Sequence, residues 1–287
     1  MKIFDRKNNN FIEEKEYGKK KLEFLYNTII GRILLKFIFA SRWFSNVQAI
    51  YQKSRMSRKK IPSFVKEYNI DMSEYPSIDT YNSFSEFFKR KRKITNSSLD
   101  NELVAIADSK LSVYYLDDKS VLNIKHSKYD LKELLQDEKL ADEYKDGICV
   151  IYRLSMDNYH RYMYLDDGEL VSSKKIKGKL HTIRPISSRY NVYCTNSREI
   201  SILNTKNFGQ VVQVEVGAML VGKIQNNKKV EFSKLQEKGY FDFGGSTIIQ
   251  LFKKNAIVLD EDIIKMSKDN IETKVEIGMK IGGRYND

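Results

Sequence analysis

Two textures of apolar spacing divide the chain. Up to about residue 95 the apolar positions recur at helical period with few glycines between them. Ser83-x-x-Glu86, opening a segment with Phe84, Phe87 and Phe88, has the form of a helix capping box. From Leu103 onward, short runs of Val, Ile, Tyr and Leu are punctuated by Gly, Asp and Asn, as in 111–116 and 148–154. The spacing of Leu131, Leu134, Leu135 and Leu140 predicts one helix over 130–144 inside this part. The clearest later strands are 211–216, 218–224, 247–252 and 271–275, with Gly217, Gly222, Gly244 and Gly245 marking bends or close backbone approach. The expected class is α+β: a helical region over 1–95, then a largely antiparallel β-rich body over 96–287.

The most apolar stretch is 22–43, yet Glu23, Arg32 and Lys36 interrupt it, and a spanning helix needs roughly 20 mostly apolar residues. Read at helical period, Tyr26, Ile29, Ile30, Ile33, Leu34, Phe37 and Phe44 share a face while the cations lie off it, a pattern that suits a helix lying in a membrane interface. Packing against the rest of the protein is the commoner fate of such a face. Lys53, Arg55, Arg58, Lys59 and Lys60 follow it, and Lys89 to Lys93 form a second basic run. Near an anionic leaflet each such residue contributes about 1 kcal/mol; elsewhere such runs are solvated faces.

Charge sharpens this picture without deciding it. Fifty Lys and Arg against 38 Asp and Glu give the 287 residues a net charge of +12, attractive to acidic lipid and nucleic acid alike. The 18 tyrosines form no RNA- or DNA-binding motif, so nucleic acid is not an expected partner. Cys149 and Cys194 lack the paired spacing of zinc sites and suit reduced thiols; no metal site is expected. Residues 1–20 lack the charged start and apolar run of a secretion signal, so the protein is expected to stay on the cytosolic side.

The segment richest in candidate chemistry is Gly244-Gly245-Ser246-Thr247, between Lys238–Phe243 and an apolar run. Two glycines leave the acyl side of a peptide bond unhindered and permit unusual backbone geometry, so that the following hydroxyl can attack the carbonyl before it. A tight hairpin turn is the plainer reading of the same residues.

Context favours the first reading. The flanks of this segment, the stretch from Val216 to Ile224, Asn207-Phe208-Gly209, Asn196-Ser197-Arg198, Gly178 to Pro185, Asp157-Asn158-Tyr159-His160-Arg161 and Phe84-Ser85-Glu86-Phe87-Phe88 together resemble the phosphatidylserine decarboxylases, in order and over nearly the whole chain. The resemblance implies a proenzyme in which Ser246 attacks the Gly245 carbonyl. The chain then parts into residues 1–245 and 246–287, a heterodimer of its own two pieces, and Ser246 becomes a covalent pyruvoyl group. That group, the only cofactor implied, condenses with the amine of phosphatidylserine and accepts the electrons left by departing carbon dioxide, giving phosphatidylethanolamine.

A serine hydroxyl needs a base and commonly a carboxylate that orients the base. By the resemblance, Asp108 falls at the aspartate position, with Ser109 where glycine is usual. Only His126, His160 and His181 are available as imidazoles. Many relatives carry a second histidine three residues after the one matching His160; here that position is Met163. Either His160 takes the base role, the first choice, or His181 does; His126, among polar residues, suits the surface. Arg161, Arg184 and Arg198 are candidates for the lipid phosphate. The implied setting is peripheral, on the cytoplasmic side of an anionic membrane, with homodimerisation of the processed unit. The competing reading is a non-processing basic protein that binds acidic lipid.

Overall fold

The computed structural model describes residues 1–14, 19–39, 41–95, 100–117, 121–124, 127–183, 185–219, 223–242, 244 and 246–285. His126, Arg184, Gly222 and Gly245 lie outside the described residues.

Alternation of side chains across extended backbone builds the body around one ten-stranded sheet among these residues. Its strands run, edge to edge, Glu231–Phe232, Gly168–Ile176, Arg198–Thr205, Gly209–Gly217, Ser246–Phe252, Ile148–Leu154, Ser109–Tyr115, Glu272–Val275, Lys2–Asp5 and Asn10–Glu13. Neighbours are antiparallel except Lys2–Asp5 beside Glu272–Val275. The central strands are apolar on both sides because both faces are covered. Val150, Tyr152, Leu154, Ile248 and Phe252 enter one core, and Cys149, Ile151, Ile249, Leu251 and Val214 enter another. A small sheet of Ile224–Asn226, Glu237–Phe241 and Arg161–Met163 packs on the first face through Ile224, Phe241 and Tyr162.

The α+β class stands, but several boundaries differ from the spacing. Residues before 95 are not all helical: Lys2–Asp5 and Asn10–Glu13 form a hairpin on the sheet edge, with Ile3 buried and Asn9 in the left-handed region at φ 49°. Pairing with residues 272–274 imposes extension on a polar, short segment that carries no strand pattern of its own.

The 22–43 segment is not one helix. It splits into Lys19–Asn27, Ile29–Leu34, a π-helical turn at Leu35–Phe39 and Arg42–Lys53, because Thr28 caps the Gly31 N–H and Ser41 caps the Phe44 N–H. The breaks rotate the expected face. Tyr26 and Leu35 turn inward, while Ile29, Ile30, Ile33 and Phe37 are 54–71% exposed. Gln136, left-handed at φ 49°, likewise divides 130–144 into Leu131–Leu135 and Glu138–Asp142. The capping box forms as read: the Glu86 N–H donates to Ser83 Oγ at 3.2 Å. Of the described residues in 218–224, which exclude 220–222, Ile224 alone lies in a strand, and the described residues around His181 form no strand because Asn196 side-chain bonds replace ladder bonds there.

Candidate functional site

Ser246 opens its strand between Gly217 and Leu154, its register partners on either side. It is fully buried, and its Oγ has no hydrogen-bond partner. Strand alternation puts that hydroxyl on the face carrying Leu154, Tyr152 and Ile248, beneath the small sheet. Gly217 adds no side chain beside it. Just upstream, Gly244 holds φ at 131°, a conformation that suits glycine because it lacks Cβ.

His160 ends the loop that follows Leu154. Its backbone carbonyl accepts the Phe241 N–H at 3.0 Å, so the chain from Phe241 to Ser246 is pinned at both ends by the two ends of the 154–160 loop. The loop is tightly tied. The Ser155 N–H donates to Asn158 Oδ1, and Lys110 donates to Asn158 Oδ1 and to Asp157. The Arg153 guanidinium ties Ser155 to Glu14 and Glu272.

The His160 ring lies 4.3 Å from that of Phe88. A hydrogen bond of 2.9 Å to the Asn158 carbonyl places the proton on Nδ1 and leaves Nε2 with its lone pair. Nε2 is buried without a partner. Burial pushes the imidazole pKa down to about 3, against the Asn158 bond, and the nearby Arg90 and Lys110 charges act in the same direction as burial. His160 is therefore a neutral imidazole at ordinary pH, with its basic nitrogen available. No hydrogen bond joins it to Ser246 in the uncut chain.

His181 is held differently. Its ring stacks on Tyr190 at 4.4 Å, and the Tyr26 hydroxyl lies 3.4 Å from Nδ1. Burial pushes its pKa down to about 4, aided by Lys179. Asn196 binds the His181 N–H and donates to the carbonyls of His181 and Gly217. Because Gly217 is the register partner of Ser246, His181 is coupled to the serine strand through one side chain, with its ring packed between tyrosines.

Asp108 leads into Ser109–Tyr115, two strands along from Ser246 and roughly 10 Å away by strand spacing. Its Oδ1 accepts from Arg92 at 2.8 Å and from the Ile277 N–H at 2.9 Å. Burial raises its carboxyl pKa while Arg92 opposes the rise. These hydrogen bonds go to an arginine and a backbone amide, and among the described residues none joins Asp108 to His160 or His181. Met163 bonds through its N–H to the Ile106 carbonyl, and its side chain packs with Val104, Tyr159 and Leu235.

Other candidates have structural roles. Arg161 pairs with Glu237 at 2.7 Å and donates to the Lys89 carbonyl. Arg198 donates to the carbonyls of Leu134, Glu133 and Asn196. The 89–93 run is not the uniformly exposed basic cluster expected: Arg90 is buried, Arg92 binds Asp108, and Lys91 and Lys93 are exposed. Arg90 and Arg92 line a cleft of about 620 Å³ with Tyr75, Asp108, Tyr159 and Ile277. Sequence reasoning missed both as site residues; the preceding Phe87-Phe88 pair, which anchors the run inward, was the available signal.

Residues 81–283 match the phosphatidylserine decarboxylase family. The chain is 53% identical over 284 residues to phosphatidylserine decarboxylase proenzyme 2 of Clostridium acetobutylicum, covering 98% of this chain and 97% of that one. It is 40% identical over 296 residues to the phosphatidylserine decarboxylase proenzyme of Clostridium tetani, with 99% of each chain covered. Against the proenzyme of Clostridium perfringens it is 39% identical over 293 residues, covering 99% of this chain and all of that one. With a matching domain over most of its length, relatives matched from end to end, and a buried serine following the glycine pair, the chain belongs to the phosphatidylserine decarboxylase family.

Proposed function

We infer that this chain cuts itself between Gly245 and Ser246 and, with the pyruvoyl group made from Ser246, converts phosphatidylserine to phosphatidylethanolamine and carbon dioxide. The observation that carries the reading is a pair of orphaned buried atoms, Ser246 Oγ and His160 Nε2, at the two pinned ends of a turn containing Gly244. A buried polar atom without a partner costs stability, and catalytic need accounts for two such atoms together.

In the cutting step His160 Nε2 takes the Ser246 proton as Oγ bonds to the Gly245 carbonyl carbon. The Gly245–Ser246 C–N bond then breaks, and the proton passes to the departing nitrogen, leaving an ester between Gly245 and the Ser246 side chain. Loss of the Ser246 Cα proton with departure of the Gly245 carboxylate parts the chain and leaves dehydroalanine, whose imine tautomer takes up water and releases ammonia to give the ketone. His160 suits this role because it is neutral well below pH 7 and fixed by Asn158. His181 is the second choice, and Asp108 acts from the neighbouring cleft through Arg92 rather than on the base. The residues fit the pyruvoyl group, since its precursor hydroxyl already sits buried under the small sheet. Once formed, that group supplies the electron sink for decarboxylation. Phe88, against His160, helps exclude water from the chemistry.

The reading extends to a peripheral seat on the cytoplasmic face of an anionic membrane, with residues 96–287 carrying the chemistry. Exposed Ile29, Ile30, Ile33 and Phe37 support it, with Arg55, Lys59 and Lys60 exposed nearby in sequence. Among the described residues no helix is long and apolar enough to cross a membrane.

The test is intact mass of the purified chain beside Ser246→Ala. The wild type is expected as two pieces, 1–245 and 246–287, and the variant as one. One uncut chain in both would overturn self-processing and favour the lipid-binding reading.

A further inference from the structure

Most buried or half-buried cations among the described residues have a carboxylate beside them. Arg92 has Asp108, Lys110 has Asp157, Arg153 has Glu14 and Glu272, Arg161 has Glu237, and Lys238 has Glu215. Arg90 does not. It is 4% exposed, its Nε is buried without a hydrogen-bond partner, and no acid pairs with it among the described residues. Its guanidinium lies 4.7 Å from the Tyr75 ring centre and 4.9 Å from that of Phe87. Ring faces hold a guanidinium in place but do not neutralise it. A guanidinium remains charged at any working pH, and burying one without a counter-charge is costly.

The location of this unmatched charge gives it a use. Arg90 lines the 620 Å³ cleft that also holds Asp108. Its carbonyl accepts from Arg161, the residue after His160, and Phe88, two residues before it, stacks on the His160 ring. The cleft, lined also by Asp157, Asn158 and Tyr159, therefore borders the segment that carries His160.

We propose that Arg90 receives the phosphodiester of the lipid substrate and so docks the headgroup in this cleft; the proposal rests on the decarboxylase reading above. Phosphatidylserine offers two oxyanions, and the reaction distinguishes them. The carboxylate must give up its charge as it leaves as neutral carbon dioxide, so a guanidinium held on it would stabilise the ground state more than the transition state. The phosphodiester keeps its charge throughout, and an arginine on it contributes equally at every stage. Arg90 is thus a substrate-binding residue whose removal raises KM more than it lowers kcat.

The test uses full-length wild type, Arg90→Gln and Arg90→Lys, each checked by intact mass for cutting at Ser246. Carbon dioxide release is measured in detergent micelles from phosphatidylserine and from an O-alkyl serine lipid, which keeps the amine and carboxylate but lacks phosphate. Arg90→Gln is expected to be cut normally and to lose about 10- to 100-fold in kcat/KM on phosphatidylserine, through KM. It should change little on the phosphate-free lipid, and Arg90→Lys should fall between. If Arg90→Gln does not fold or cut, Arg90→Lys carries the test by the same comparison of the two lipids. An equal loss on both lipids would place Arg90 on the carboxylate and overturn the proposal. A lowered Tm with both KM values unchanged would make it structural and overturn it as well. Wild type that is cut yet releases no carbon dioxide from phosphatidylserine would instead overturn the decarboxylase reading.

Discussion

Lowering the pH from 7 to 5 should reveal the His160 environment as a stability loss. In the unfolded chain an imidazole titrates near 6.5, whereas burial holds His160 at about 3 in the fold. Below 6.5 the unfolded state therefore binds a proton that the folded state does not, and stability falls as pH falls, continuing until the folded pKa is reached. The slope is about 1.4 kcal/mol per pH unit, so at pH 5, some 1.5 units below the unfolded pKa, the loss is about 2 kcal/mol. Carboxylates enter later: Glu14, held at about 2 by Arg153 against its own burial, begins to lose its contribution only below about 4.5.

Urea unfolding at pH 7 and pH 5 measures this, with Ser246→Ala as the background so that a single uncut chain is compared. Adding His160→Gln removes the titrating group but keeps an amide that can bond the Asn158 carbonyl. The background should lose about 2 kcal/mol more on acidification than the double variant. His181 is present in both and cancels. Equal losses would show that His160 is not a buried neutral imidazole, and the case for its basic nitrogen would fail with it.

Asn196→Ala removes the donor shared by the His181 and Gly217 carbonyls; it should cost about 1–3 kcal/mol and slow cutting, followed as fragment appearance by mass. Unchanged cutting would mean that the Gly217 edge does not position Ser246. Arg153→Met strands Glu14 and Glu272 and should destabilise by about 3–5 kcal/mol in urea unfolding, whereas a loss under 1 kcal/mol would argue that water reaches them. Ile30→Glu with Ile33→Glu and Phe37→Glu should reduce flotation with phosphatidylserine vesicles at high salt, where apolar insertion persists, and leave self-cutting intact. Retained flotation would remove this face from the membrane reading.

Ser246 and the strand after it were legible because the Gly-Gly pair and the apolar run are local features. Residues 148–154 were legible as well, since burial on both faces leaves a continuous apolar run. The capping box at Ser83 needed only four residues to be recognised. His160 stood out by scarcity, though its free nitrogen depends on the Asn158 carbonyl and the Phe88 ring, contacts that no spacing encodes. The first hairpin was not legible because its partner lies some 270 residues away in the chain. The 89–93 run misled because a row of cations reads the same whether it faces water or a cleft. Only the fold turns Arg90 and Arg92 inward, and only the fold gives Asp108 an arginine for a partner.

The order of strands also has a consequence for when the chain can be cut. Ser246–Phe252 fills the gap between Gly209–Gly217 and Ile148–Leu154, and Glu272–Val275 fills the gap between Ser109–Tyr115 and Lys2–Asp5. Both fillers are made late in synthesis, after the strands that flank them. Until they leave the ribosome, the sheet is three separate pieces with open edges, and Ser246 has neither neighbour in register. The serine thus acquires its setting late in translation, so a truncated or stalled product lacking these strands would not be armed.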